Sequence, residues 1–197
     1  MASRKLKAVL AMYRRKGSML FVALLILLLS AVSAAGATGV NEFMDIPWGA
    51  SRGDVTQRMA GLRFPKDAES NVQRDIYEGM FAARKAYLTF RFINNLFYSG
   101  GALFVDTYHA YGNVSNATID YYFREIEAQL VKKYGQPTKR PSDDSDYWTI
   151  DENGVRILIK LGKNYPHKGG DNSRVFVNYE NQTLLEKEKQ RATNRDF

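Results

Sequence analysis

The chain has 197 residues, 45% of them hydrophobic and 13% aromatic, which supplies a packed core and excludes overall disorder. Its formal charge of +7 suggests a polyanionic partner, yet six of the 28 basic residues precede residue 38 and all 21 acidic ones follow it, leaving +1 on the remainder. The basic excess belongs to a terminal segment, not to a nucleic-acid surface. There is no cysteine, which excludes disulfides, thiolate metal sites and a lipid-modified N-terminal cysteine together.

The N-terminal segment combines a basic flank (Arg4, Lys5, Lys7, Arg14, Arg15, Lys16), an apolar run from Met19 to Leu29 and a small-residue tail from Ser30 to Ala37. These are the three parts of a secretion signal, and the pairs Val32/Ala34 and Ala35/Ala37 suit cleavage. The competing reading is an uncleaved anchor, because Met19 to Ala37 as a helix nearly spans a bilayer core of about 30 Å. Both place the rest of the chain outside the cytoplasm, in the periplasm or secreted, or held at the inner membrane by a single pass. The pair Arg14-Arg15 resembles a twin-arginine export signal, but Gly17 and Ser18 stand where that signal has apolar residues. The expected organisation is a signal or anchor over 1–37, one domain over 38–181 and a polar, helix-prone tail over 182–197.

In the domain, Asn41 to Trp48 reads as a lead-in strand. Ser51 opens a helix with capping-box spacing to Asp54, followed by Val55, Met59 and Leu62 at helical steps. Strands are expected over roughly 75–82 and 85–93, the second with Ala86, Leu88, Phe90 and Phe92 on one face and Tyr87, Thr89 and Arg91 on the other. Asn94-Asn95 makes a two-residue turn. Leu96 to Tyr98 resumes the sheet, Ser99-Gly100-Gly101 reads as a bulge, and 102–108 continues the strand. A helix over 117–134, capped by Asn116 or Thr118, presents Ile119, Tyr122, Phe123, Ile126 and Leu130 on one side and stops at Gly135 and Pro137. After a polar loop over 139–146 comes a hairpin turning at Asn153-Gly154, with Val155, Ile157, Ile159 and Leu161 on one face. A glycine-rich loop over 163–172 leads to a last strand over 174–179. The order is helix, three strands, helix, three strands, tail. It predicts an α+β domain in which two α-β-β-β units form an antiparallel sheet with helices on one face.

No motif points to catalysis, a cofactor or a metal. His109 and His167 lack ligating partners at close spacing. The acidic run Ser142 to Asp146 offers carboxylates for Ca²⁺ but lacks the glycine and distal glutamate of an EF-hand, and reads as a solvated hairpin approach. Gly169-Gly170 opens no helix and has no phosphate-loop ending. The aromatics carry the functional lead: Tyr87, Arg91 and Tyr98 on the outer sheet face, with Trp48 in the loop before the first helix, form a candidate interaction surface. The bland alternative is a sheet that simply buries its aromatics under the helices.

Two local patterns, Trp48-Gly-Ala-Ser51 with Val55 opening the first helix and Lys133-Tyr-Gly-Gln-Pro137 closing the second, are similar to small bacterial envelope proteins built on α-β-β-β units. These include the small lipoprotein subunit of the outer-membrane β-barrel assembly machine and the tandem-repeat β-lactamase inhibitor proteins. The assembly subunit is lipidated at a cysteine, which this chain lacks. The resemblance implies binding or scaffolding rather than catalysis, with another envelope protein as the partner and no cofactor. The alternative is a small-ligand or lipid binder with a pocket between sheet and helix lined by Phe90, Phe92 and Phe123.

Overall fold

A computed structural model describes residues 41–108, 114–165 and 173–194. The expected export segment, His109, His167 and most of the glycine-rich loop lie outside the described residues. Among the described residues no helix is long and apolar enough to cross a membrane.

The fold is α+β. In chain order it comprises β1 (Glu42–Phe43), β2 (Ile46–Pro47), α1 (Arg52–Gly61), β3 (Arg74–Phe81), β4 (Arg84–Ile93) and β5 (Leu96–Phe104). There follow α2 (Asn116–Tyr134), β6 (Lys139–Ser142), β7 (Ser145–Glu152), β8 (Val155–Asn164), β9 (Arg174–Asn181) and α3 (Gln182–Thr193). Seven strands form one antiparallel sheet in the order β3-β4-β5-β9-β8-β7-β6, while β1 and β2 pair separately. The centre of the sheet is the non-local β5–β9 pair, in which Gly101 faces Asn178 and Leu103 faces Phe176.

Strand alternation sorts the sheet into two faces. Leu88, Phe90, Ala102, Phe104, Ile159, Leu161, Val175 and Val177 point into one core with Val55 and Met59 of α1 and Ile119, Phe123, Ile126 and Leu130 of α2. Phe43, at the β1–β2 hairpin, sits in that core against the rings of Phe81, Phe90 and Tyr179, all within 5.7 Å. The Trp148 indole N–H donates to the Gly135 carbonyl at 2.8 Å and ties β7 to the end of α2.

Local chemistry explains most element boundaries. The Ser51–Asp54 capping box forms in both directions. Helix α2 is capped by Ser115, whose hydroxyl accepts from the Thr118 N–H, in place of Asn116 or Thr118. Gly135, with φ at +80°, closes it. Residues 41–48 form a tight hairpin, not a single lead-in strand, turning at Met44-Asp45 with both φ positive. The expected bulge at 99–101 falls one residue earlier: the register slips between Arg91 and Phe92, leaving Tyr98 as the extra residue. The glycines serve packing instead, for a Cβ on Gly100 would stand 2.4 Å from the Phe43 ring, and one on Gly101 2.2 Å from Asn178 Oδ1. The strand then ends at Phe104 in a short 3₁₀ turn, Val105–Thr107. Part of the expected polar loop pairs as the exposed edge strand β6, which carries Lys139, Arg140 and Pro141, residues that discourage edge-to-edge pairing. The other edge, β3, is covered by its preceding loop through Asp67 N–H to the Ile76 carbonyl and Glu78 N–H to the Pro65 carbonyl.

Candidate functional site

The face of the sheet opposite the core is recessed, with a concavity of about 510 Å³ over its central strands. Its composition follows from register. One transverse row reads Arg74, Arg91, Ser99, Glu180 and Leu158; the next reads Ile76, Thr89, Gly101, Asn178 and Lys160; a third reads Glu78, Tyr87, Leu103, Phe176 and Gly162. Small groups at Thr89 and Gly101 leave the middle of the floor low, and the Asn178 side chain folds across Gly101. The Phe176 ring lies over Gly162, where a Cβ would meet it at 2.4 Å.

Cationic charge is concentrated at two places on this floor, while Glu180 and Glu78 stand in its first and third rows. Arg74 and Arg91 are direct cross-strand neighbours on β3 and β4. Lys160 and Arg174 flank the Phe176 ring, their cationic groups 5.6 and 5.8 Å from its centroid. None of these four cations has a carboxylate within ion-pairing distance among the described residues, whereas Lys66, Arg140 and Lys163 all do. The two acidic groups on the rim, Asp67 and Glu69, belong to the loop along β3, and Asp67 accepts from the Glu69 N–H within that loop. The lining of the concavity keeps an excess of two positive charges, with Glu180 and Glu78 beside it in the first and third rows of the same face.

Of the residues proposed from sequence, Tyr87 and Arg91 line this concavity. Tyr98 joins Arg91 because of the bulge; burial pushes its phenol pKa up, and Arg91, which hydrogen-bonds it, works in the opposite direction. Trp48 is placed elsewhere, stacked on the core ring of Phe97 at 5.0 Å. Phe90 and Phe123 are core residues, and Phe92 lies under the Arg52 guanidinium at 4.6 Å, so the aromatic trio belongs to the face opposite the concavity. Sequence reasoning missed Arg74, Lys160, Arg174 and Phe176. Their alternation with buried neighbours placed them on an outer face, but only the β5–β9 pairing brings the two halves together.

Other polar clusters are tied up internally. In the acidic run, Asp146 is buried and receives Arg140 at 2.6 Å, while Asp144 faces Lys163 at 3.8 Å. Among the described residues no group of three potential ligands is arranged to hold a metal ion. Asp75, buried beneath α1, is met by Lys66 at 2.7 Å and Arg52 at 3.5 Å.

The fold and this face together define an α+β domain with one sheet face filled by helices and the other recessed, its cations gathered in two pairs. Comparison with known proteins gives no match to a family model, a curated protein or a solved structure.

Proposed function

We propose that the protein is an exported, non-enzymatic binding module of the bacterial envelope that captures another protein on the outer face of its sheet. The observation that carries this reading is the recessed face itself: Tyr87 and Arg91 line it, with Tyr98 beside Arg91, on a rigid sheet whose opposite side is packed. Rigid tyrosines and arginines are the side chains that dominate protein interfaces, because they bury large area at low entropic cost. The N-terminal basic-apolar-small pattern supports export. The succession of α1 with β3–β5 and α2 with β7–β9 supports a pair of α-β-β-β units joined at β5–β9, as the resemblance to envelope binding proteins implies.

The test is crosslinked capture from the native cells, comparing the parent chain with Tyr87→Ala and Tyr98→Ala. The expected result is a recurrent envelope protein whose yield falls in both variants while their melting temperatures stay near the parent's. Unchanged capture by both variants removes the outer face from the function. A second reading, a small-ligand binder, draws on the groove volume, which lies within the range of ligand sites. It predicts a ligand-induced rise in melting temperature without protein capture.

A further inference from the structure

Four features of the outer face converge on the chemistry of what it holds. Arg74 and Arg91 stand directly opposite each other across β3 and β4, an arrangement that opposes folding in the absence of an anion. Arg74 Nε is buried and finds no acceptor among the described residues. Lys160 and Arg174 form a second cationic pair about the Phe176 ring. Between them the Asn178 amide folds across Gly101 on the floor of the concavity.

The spacing decides the size of the ligand. Arg91 is on β4 and Lys160 on β8, separated by β5 and β9. Three strand spacings of about 4.8 Å put the two cationic pairs roughly 14 Å apart. A single carboxylate or phosphate group cannot meet both. An extended chain rising about 3.3 Å per residue reaches from one to the other in roughly four to five residues. A flat bilayer surface does not enter a recessed floor. A long nucleic acid needs a broad positive field, which a remainder of formal charge +1 does not provide.

We propose that the groove binds an extended acidic peptide segment of the partner protein, with carboxylates near both ends and an apolar or aromatic residue between them. The carboxylates meet Arg74/Arg91 and Lys160/Arg174, the central side chain lies on Tyr87 and Phe176, and the peptide backbone meets Asn178. Arginine suits the first role because its planar fork receives a carboxylate through two parallel bonds. This proposal rests on the outer face being the protein-binding surface.

The experiment titrates the chain into fluorescent peptides carrying two glutamates about four to five residues apart with a tyrosine between them, read by anisotropy, beside lysine-for-glutamate analogues. Two double variants, Arg74→Gln/Arg91→Gln and Lys160→Gln/Arg174→Gln, are compared with the parent after circular dichroism shows that they fold. The expected result is binding of the acidic peptide alone, weakened by salt and reduced at least about tenfold in each double variant. Equal binding of the lysine analogue, or no binding of the acidic peptide, overturns the proposal. So does tight binding to phosphatidylglycerol vesicles that the same variants abolish, which transfers the groove to an anionic lipid headgroup. The two levels separate cleanly: if Tyr87→Ala loses the native partner while the charge variants and salt leave capture unchanged, protein binding stands and the acidic segment falls.

Discussion

Ala82 and Ala83 turn the chain from β3 to β4 with φ angles of 50° and 60°, where a Cβ crowds the following carbonyl. Two other two-residue turns of the large sheet meet the same demand with Asn94-Asn95 and Asn153-Gly154, which tolerate that conformation. Ala82 packs against the core, but Ala83 is exposed. Ala83→Gly is therefore expected to stabilise the fold by about 1 kcal/mol, seen as a higher urea midpoint with an unchanged slope. Gly100 shows the reverse case. Its missing Cβ is where the Phe43 ring rests, so Gly100→Ala is expected to cost about 1–3 kcal/mol by overpacking. Adding Phe43→Leu to that variant should cost less than it does in the parent, a coupling that a double-mutant cycle measures. Independent, additive losses would mean that the ring is not what the glycine accommodates.

Each helix is joined to its surroundings by a carboxylate whose pKa lies below its ordinary value. Asp54 in α1 accepts from the Ser51 hydroxyl and backbone. Asp120 in α2 accepts from Lys163 and Tyr165 near the end of β8. Glu188 in α3 accepts from the Asn94 amide in the β4–β5 turn, with Arg191 beside it. A carboxylate whose pKa is lower in the folded chain stabilises the fold above its unfolded pKa, near 4, and that contribution fades as pH falls through the folded value. Stability should hold from neutral pH to about 4 and decline below it. Glu188→Gln should flatten that decline by lowering the neutral melting temperature toward the acid one, because Gln still accepts from Asn94 but forfeits the charge that Arg191 meets. An unchanged acid slope in thermal melts would show that Glu188 contributes nothing to it. The Ser51–Asp54 capping box was legible from its spacing, whereas the tertiary ties of Asp120 and Glu188 were invisible in the linear chain, although the elements that they join were not. The period of two in β4 and β8, the helical stripe of α2 and the Asn-Gly turn are local signals, and the elements formed where those signals fell. Polar α3 reads as a tail because its tether, Asn94, is 94 residues distant. The β1–β2 hairpin was missed because Met44-Asp45 carries neither glycine nor asparagine, and β6 because Pro141 and its polar neighbours have no alternation.

At the scale of the molecule, the sheet has one filled face, two protected edges and one open face, and the open face is where favourable local choices stop. Elsewhere opposite charges meet, as in Arg140 with Asp146 and Arg156 with Asp151. Here Arg74 meets Arg91. Half of this site, Tyr87 and Arg91, was readable from alternation along β4; the other half depends on a strand pairing between residues more than 70 positions apart, which no local pattern encodes. A like-charge pair on the face proposed for binding trades stability for that binding. Arg91→Glu tests that exchange directly. It sets opposite charges across β3 and β4 at the loss of the bond to Tyr98, and is expected to raise stability by about 0.2–1 kcal/mol at low salt. The gain should shrink as salt screens the pair. The same variant should lose the acidic peptide. A more stable variant that still binds would show that the repulsion is incidental to function, whereas a less stable one would show that the Tyr98 contact outweighs it.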